Sequence, residues 1–364
     1  PVGAARYGRK VVNILSKKSD VTAYCFEGTA RDEVKNIKIV SVPNAKKYTN
    51  LPLRFIMYIY ALLKLTLKIK KHDVLITFGD VENYMIVLNK LLINKRAKTI
   101  LEIHHVAGGL TLKEQWKNKN LPFGFITLIG HSLAKKFDAI VTVSKFWQNR
   151  IHHFYKIPLE KIYVAYTGVE DVKKSSKREL KLNFKHPIIY AGITTPTHNL
   201  ELVVNSLPII KKKFSSINLV LTGRRNEKYF NKLMNIARSL NVEKSVHHIG
   251  IVPEENLTDV YKQSDIIVYV PTEEIGWSAV LLKGILYKKP SIAIDRGALK
   301  EFISRYDGVL ISNNTESFSD AVIKLLEDKK FREKIARNAY ERAKKDTWDK
   351  TAAVHLKCIR DIMK

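Results

Sequence analysis

Short apolar runs repeat along the whole chain, each closed by a turn and followed by a longer stretch in which apolar residues return every three or four positions. In the first half the short runs fall at 21–26, 74–78, 99–103, 139–143 and 162–165. In the second they fall at 188–191, 218–222, 246–249, 266–269 and 291–294. Most are β-branched and continuously apolar rather than alternating, which predicts strands covered on both faces, as in a parallel sheet. The intervening stretches, such as 200–214 and 227–240, carry helical spacing. Strands alternating with helices predict an α/β architecture with right-handed crossovers. A polar, lysine-rich stretch over 168–187 separates two βα series of similar length and reads as a linker. The end of the chain, 332–364, reads as charged helices.

Composition narrows this picture. The 364 residues, 45% of them hydrophobic, suffice for two domains with their own cores. A net charge of +28 favours anionic partners: nucleic acid, phosphorylated small molecules or an acidic membrane surface. A well-solvated surface in a lysine-rich proteome is the plainer explanation of the same number. No RNA-binding signature or aromatic-basic platform accompanies the charge, so nucleic acid is not an expected partner. Cys25 and Cys358 stand far apart, without metal-ligand spacing or a disulfide framework, which fits a reducing cytosol. No signal peptide of the usual layout is visible at the start, Pro1. The most apolar stretch, 51–67, contains Arg54 and Lys64 and is short for a membrane span; it reads as a buried or interfacial helix.

Six segments carry candidate chemistry. Gly3, Ala4 and Ala5 precede a helical run at 10–16, where a glycine turn would let backbone N–H groups approach a phosphate or sugar; an ordinary βα loop is the alternative. The run 101–109 is a strand ending in His104 and His105 before Gly108 and Gly109, and α/β proteins place ligands at the carboxyl ends of strands. Ser144, between a strand and the next helix, suits an N-cap. The run 188–200 is a strand, a turn at Gly192 and a helix starting near Asn199, whose polar turn could hold a diphosphate through N–H groups and hydroxyls. The run 219–225 repeats the layout, with Gly223 followed by Arg224 and Arg225, either phosphate ligands or a solvated pair. The most specific segment is 268–293. A strand ends at Pro271, the acidic loop Thr272-Glu273-Glu274 follows, a helix opens at Gly276-Trp277-Ser278, and another strand comes after Pro290. Carboxylates at the strand end can bind sugar hydroxyls, and the helix N-terminus can receive a diphosphate.

The order of these motifs resembles the family 4 retaining glycosyltransferases. Pro271-Thr-Glu-Glu274, Gly276-Trp-Ser278, Leu281-Leu-Lys-Gly284 and Lys288-Lys-Pro290 are similar to the family's Pro-Ser, acidic residue, Gly loop, Leu-Leu-Glu-Ala helix and Gly-x-Pro turn. Tyr190-Ala-Gly192 with His198-Asn-Leu200, Leu219–Gly223, Gly250 with Glu255-Asn-Leu257, Val141–Ser144 and Tyr166–Glu170 add further matches. The resemblance spans nearly the whole chain, starting just after the family's first strand. It implies the GT-B fold: two Rossmann-like domains with parallel sheets facing a central cleft, an acceptor-side domain over 1–170, a linker over 171–186, a nucleotide-sugar domain over 187–345, and a last helix, 346–364, packing back on the first domain. It implies a hexosyltransferase that takes its donor from a nucleoside-diphosphate sugar such as a UDP- or GDP-hexose, retains anomeric configuration, needs neither cofactor nor metal, and glycosylates a glycan, glycolipid or lipid-linked acceptor. His105, then His104, would lie near the transferred sugar, with Glu274 completing the catalytic set. Gly192, Thr194, His198, Gly223, Arg224, Val252, Thr272, Glu273, Gly276, Trp277, Ser278, Val280 and Lys283 would form the donor site. The charge and the basic-apolar run 55–71 further suggest a cytoplasmic protein lying peripherally on an anionic membrane face. Three departures stand out. Lys283 occupies the position of the family's ribose-binding glutamate, and the family's phosphate-binding Arg and Lys fall near Ile193 or Thr194 and on His198. Arg224, Lys283 and His198 are the candidate replacements, and a catalytically inactive GT-B-like binding subunit is the alternative function.

Overall fold

A computed structural model describes residues 2–26, 37–42, 51–78, 82–104, 132–170 and 179–364. They form two compact units, one of residues 1–168 with 347–364, the other of 169–346. Each has the α/β architecture that the alternating pattern predicts.

The first unit starts with helix α1 (Val2–Leu15). Gly3, Ala4 and Ala5 therefore lie in its first turn rather than in a phosphate loop ahead of it. A run of small residues containing two alanines extends a helix more readily than it breaks one, and a single glycine costs about 1 kcal/mol there. Strands β1 (Thr22–Phe26) and β2 (Lys38–Val42) pair in parallel. β2 is missing from the apolar runs because Lys38 and Ser41 interrupt it and most of it is exposed. Helix α2 (Leu51–Lys68) follows. The four-stranded parallel sheet has the order β3-β4-β5-β6, formed by Val74–Thr77, Lys98–Glu102, Ala139–Thr142 and Ile162–Val164. Helix α3 (Glu82–Leu92) links β3 to β4, and α4 (Lys145–Tyr155) links β5 to β6. Ser144 caps α4 by accepting from the Trp147 N–H at 3.2 Å.

The second unit is a six-stranded, all-parallel sheet. Its strands are β7 (Pro187–Ala191), β8 (Asn218–Thr222), β9 (Val246–His248), β10 (Ile266–Tyr269), β11 (Ser291–Ile294) and β12 (Val309–Ile311). The order is β9-β8-β7-β10-β11-β12, the doubly wound 3-2-1-4-5-6 arrangement. The crossover helices are α5 (Leu200–Lys211), α6 (Glu227–Ser239), α7 (Leu257–Lys262), α8 (Ala279–Leu286) and α9 (Ala298–Tyr306), with α10 (Thr315–Glu327) and α11 (Lys329–Ala343) after β12. β12 is only three residues long, too short to stand out as an apolar run. Residues 180–184, in the stretch that reads as a linker, are strapped to this unit: the Leu180 N–H donates to Asp259 at 3.0 Å and the Leu182 N–H to Gln263 at 2.7 Å.

Helix α8 sits against β10 without a side chain at Gly284. A Cβ there would lie 2.6 Å from Ile267 Cγ1. The resemblance places alanine at this position, so the glycine brings helix and strand closer than alanine allows. Gly284→Ala is expected to cost about 1–3 kcal/mol through overpacking, and Ile267→Ala in the same chain should recover part of that in urea denaturation; an unchanged midpoint for the single variant would refute the close approach.

The last helix, α12 (Trp348–Met363), belongs to the first unit. Thr351 Oγ1 donates to the Tyr166 carbonyl at 2.7 Å, and Cys358 is buried with Ile100, Ala139, Val141 and Ala165. Burial, then the charges of Glu102 and Asp361, push the Cys358 thiol up to about 12, so it serves as core and not as a nucleophile.

Candidate functional site

In a doubly wound sheet, neighbouring strands on either side of the first strand send their crossovers to opposite faces, leaving a crevice beyond their carboxyl ends. Here that point lies between β7 and β10. β7 leads into 192–199 and β10 into 270–278, so of the predicted donor residues Gly192, Thr194, His198, Thr272, Glu273, Gly276, Trp277 and Ser278 lie in the two loops that leave the switch point, whereas Gly223 and Arg224 follow β8, Val252 follows β9, and Val280 and Lys283 are in the helix after β10. Thr272 joins the two loops: its N–H and its hydroxyl donate to the Thr197 carbonyl at 2.9 and 3.2 Å. The guanidinium of Arg296 donates to the Thr272 carbonyl and fixes the acidic loop from the far side.

Under these loops the rings of Tyr190 and Tyr269 stack, 6.3 Å between centroids and 9° apart, with His198 at 5.4 and 6.0 Å from them. The Tyr190 hydroxyl donates to the Ile193 carbonyl at 3.1 Å, and His198 Nδ1 bonds Thr195 Oγ1 at 2.9 Å. Burial lowers His198 to about 4. It is therefore neutral near pH 7 and cannot supply the positive charge that a lysine would. Burial, then the charge of the Glu273 carboxylate, push the Tyr269 phenol up to about 12.

The glycines act differently from the expectation that their N–H groups hold a diphosphate. β7, β8 and β9 run on into Gly192, Gly223 and Gly250, whose backbones pass side by side. The Gly192 N–H donates to the Thr222 carbonyl at 2.9 Å, the Gly223 N–H to Gly250 at 2.8 Å, and the Thr194 N–H to Arg224 at 2.8 Å. These donors are already committed, because the chain beyond each strand continues the ladder instead of turning away. What the glycines permit is proximity: at Gly223, φ is +118° and a Cβ would lie 2.2 Å from the Gly192 carbonyl oxygen. Thr194 is fully buried under this ledge, and Val252 follows Gly250 and packs on the core.

Donors for an anion come from α8 instead. Ser278 accepts from the Leu281 N–H at 3.2 Å and caps the helix. Helix geometry leaves the first-turn N–H groups of Ala279 and Val280 without an intrahelical carbonyl, at the end carrying partial positive charge. Gly276 is buried ahead of the cap, and Trp277 packs on Phe302 and Tyr306 at 5.1 and 5.8 Å. Glu274 rests on Gly297, where φ is +56° and a Cβ would meet the Glu274 Cα at 3.2 Å. Lys283 is paired with Glu254 at 2.8 Å, so a protein carboxylate already neutralises it. Arg225 bonds Glu227 at 2.8 Å and lies over Phe230, whereas Arg224 is exposed beside the ledge.

In the first unit, β4 ends in Glu102, fully buried between two histidines. His104 Nε2 donates to Glu102 Oε2 at 2.9 Å, and His355 of α12 donates through Nε2 to Oε1. His355 Nδ1 faces the Thr351 carbonyl at 2.9 Å. Both its ring nitrogens thus face oxygens, an arrangement that suits an imidazolium beside a carboxylate. Burial raises the Glu102 carboxyl, but the His355 charge and the bonds from His104 and His355 bring it below its ordinary value. Burial opposes a charge on His355, yet Glu102 holds its pKa above the ordinary one. The Tyr7 ring stands edge-on to His104 at 4.4 Å and its hydroxyl donates to the Ala165 carbonyl at 3.2 Å. His105 lies outside the described residues. The sequence reading missed Glu102 and His355. The signal for the first was a carboxylate inside an otherwise apolar strand, which demands a buried partner; the second carried no local signal.

Fold and site together define an α/β protein of two parallel-sheet units, the second with a nucleotide-type switch point. The Glycosyltransferase Family 4 description matches residues 2–173 and the Glycosyl transferases group 1 description residues 171–342. The chain belongs to this family, and its fold is GT-B. It is similar to an uncharacterized glycosyltransferase of Methanocaldococcus jannaschii, MJ1178, with 22% identity over 93% of this chain and 90% of the relative. It is also similar to a D-inositol 3-phosphate glycosyltransferase of Paenarthrobacter aurescens, with 26% identity over 57% of this chain and 53% of the relative. Among solved structures it is similar to Anabaena Alr3699/HepE in complex with UDP and glucose, with TM-score 0.76 and 14% identity over 99% of this chain and 96% of the other. Sucrose-phosphate synthase of Thermosynechococcus elongatus gives TM-score 0.75 and 14% identity over 98% and 93%.

Proposed function

We propose that this glycosyltransferase takes a hexose from a nucleoside-diphosphate sugar held at the β7/β10 switch point and transfers it with retention to a glycan, glycolipid or lipid-linked acceptor. The observation that carries the reading is the capped N-terminus of α8 at the carboxyl edge of a 3-2-1-4-5-6 sheet. The Ala279 and Val280 N–H groups receive the diphosphate, whose charge grows as the glycosidic bond breaks; Arg224 is the side-chain cation beside the ledge. Glu273 and Glu274 hold sugar hydroxyls, and the backbone of Glu274 is fixed against Gly297 for that purpose. His104, oriented by Glu102 as a carboxylate orients a catalytic imidazole, serves the reacting end with His105. UDP bound to Alr3699/HepE supports a uridine donor.

A thermal-shift series with UDP, GDP and ADP should single out one nucleoside diphosphate, since a ligand that binds only the folded state raises its melting temperature. With the matching sugar, His104→Ala and Glu274→Ala should each slow transfer by about a hundredfold, and the product should keep the donor's anomeric configuration by NMR. An inverted product would refute retention. The Lys283–Glu254 pair, standing where the family has a ribose-binding glutamate, favours a second reading, a binding subunit without activity. Stabilisation by a nucleotide sugar without transfer or hydrolysis would select it.

A further inference from the structure

Helix α2 is apolar on the face where a surface helix is normally polar. Ala61, Leu62, Leu65 and Thr66 point inward and are buried. Outward, Ile56, Ile59, Tyr60, Leu63 and Leu67 are 41–69% exposed and form one continuous stripe at helical spacing. Single exposed apolar residues need no explanation, but a stripe along one helix marks an interaction surface.

The C-terminal end of the helix adds charge. Lys68, Lys70 and Lys71 line a cavity of about 410 Å³ together with Lys38, and among the described residues Asp20 is its one carboxylate. The wall is a built structure. Tyr24 Oη and His72 Nε2 are 2.9 Å apart, and the Lys70 N–H donates to Tyr24 Oη at 3.2 Å. Asn94 fixes the same turn, donating to the Lys70 carbonyl at 2.9 Å and accepting from the His72 N–H at 3.0 Å. Asn89 at the end of α3 bonds the carbonyls of Thr66 and Ile69, which brings exposed Leu91 and Leu92 to this end of α2. The cation-lined cavity thus lies at the C-terminal end of the helix that carries the apolar stripe.

We propose that this surface docks on a membrane, with the α2 stripe bedded at the headgroup–acyl boundary and the lysine cavity taking the phosphate of an anionic phospholipid. The inference rests on the acceptor side of the function proposed above, since an acceptor carried by lipid must be met at a membrane face. Among the described residues, four lysines and one carboxylate line the cavity, a balance that fits a phosphate, and the stripe on the same helix fits acyl chains. Nucleic acid would leave the aliphatic stripe without partners, since bases stack on aromatic rings. Among the described residues no helix is long and apolar enough to cross a membrane, so the contact is peripheral.

The test is co-sedimentation of the full chain with vesicles of phosphatidylcholine alone and of phosphatidylcholine with phosphatidylglycerol. Binding should appear with the anionic vesicles. Each lysine removed, as in Lys68→Ala, Lys70→Ala or Lys71→Ala, should weaken it about fivefold in a salt-dependent manner. Leu63→Asp with Leu67→Asp should abolish it at any salt concentration. Equal binding to neutral vesicles, equal binding by the lysine variants, or no binding to either vesicle would overturn the proposal. So would a concentration-dependent dimer lost in Leu67→Asp, or full protection from vesicles by millimolar inorganic phosphate with no stripe dependence. The nucleotide thermal shift reads the other unit and should persist in every variant. Its absence from the unaltered protein that still binds vesicles would sink the donor reading and leave this one standing.

Discussion

Glu102→Ala is expected to cost the first unit about 3–5 kcal/mol, because His355 must then either keep its charge buried without a counter-charge or give up the proton that bonds Glu102. His355 has no solvent exposure and its second nitrogen is held by the Thr351 carbonyl, so the ring cannot swing out to water. The pH dependence gives the variant a signature. In the unaltered protein the lowered Glu102 contributes stability that is present above its unfolded pKa of about 4.3 and is lost as pH falls through the folded value. The raised His355 contributes stability that is complete below about 6.5 and is lost as pH rises through its folded value. Stability should therefore be flat between these limits and decline outside them. Without Glu102, burial dominates at His355 and its folded pKa falls below the unfolded one. The variant should then lose stability as pH drops from 7 to 5, where the unaltered protein does not. Amide hydrogen exchange of the β4 strand, 98–102, reads this unit separately from the other. A double change to leucine at both positions should recover most of the loss, since a buried ion pair is often replaceable by well-packed apolar residues. If that double variant is stable but transfers sugar poorly, Glu102 acts as the positioning residue for His104; if it transfers normally, the carboxylate is structural. Equal exchange protection for Glu102→Ala and the unaltered chain would refute the buried pair.

The parts of this molecule that the sequence discloses are those encoded locally. Continuous β-branched runs gave ten strands, because a strand buried on both faces tolerates few polar positions. The order of Pro271, Glu273, Gly276 and Ser278 marked a strand end, a loop and a capped helix, which the structure places in succession. β2 and β12 were hidden, one by its exposed Lys38 and Ser41, the other by its brevity. The glycines announced close backbone approach, but not which N–H groups would be used up by it. That depended on how three strands line up in register. The His104–Glu102–His355 arrangement was less legible still, joining positions 253 apart in the chain. Nothing in the helical pattern of the final segment distinguishes His355 from an ordinary inward polar residue. Pairing of that kind is a property of tertiary contact and not of spacing.

Gly223→Ala should have the largest effect on the donor site. Gly223 has φ +118°, a conformation L side chains rarely adopt, and its added Cβ would fall 2.2 Å from the Gly192 carbonyl oxygen. That atom belongs to backbone and is tied into the loop by the Gly192 N–H bond to Thr222, so it cannot rotate aside. Backbone strain of about 1–3 kcal/mol and overpacking of a similar size act together. The way to relieve them is to push the β7 and β8 exits apart. That movement would break the Gly192–Thr222 and Thr194–Arg224 bonds and shift Arg224 and the Thr195–His198 turn, to which the acidic loop is anchored through Thr272. Stability should drop by several kcal/mol, and nucleoside diphosphates should no longer raise the melting temperature. Gly250→Ala is the matched control. Its φ is +76°, but the space around a new Cβ is open, so only the strain remains and nucleotide stabilisation should survive. The ledge reading requires that ranking. If both variants lose equal stability and both still bind nucleotide, the close passage of Gly192 and Gly223 does not shape the site, and the diphosphate is held by α8 alone.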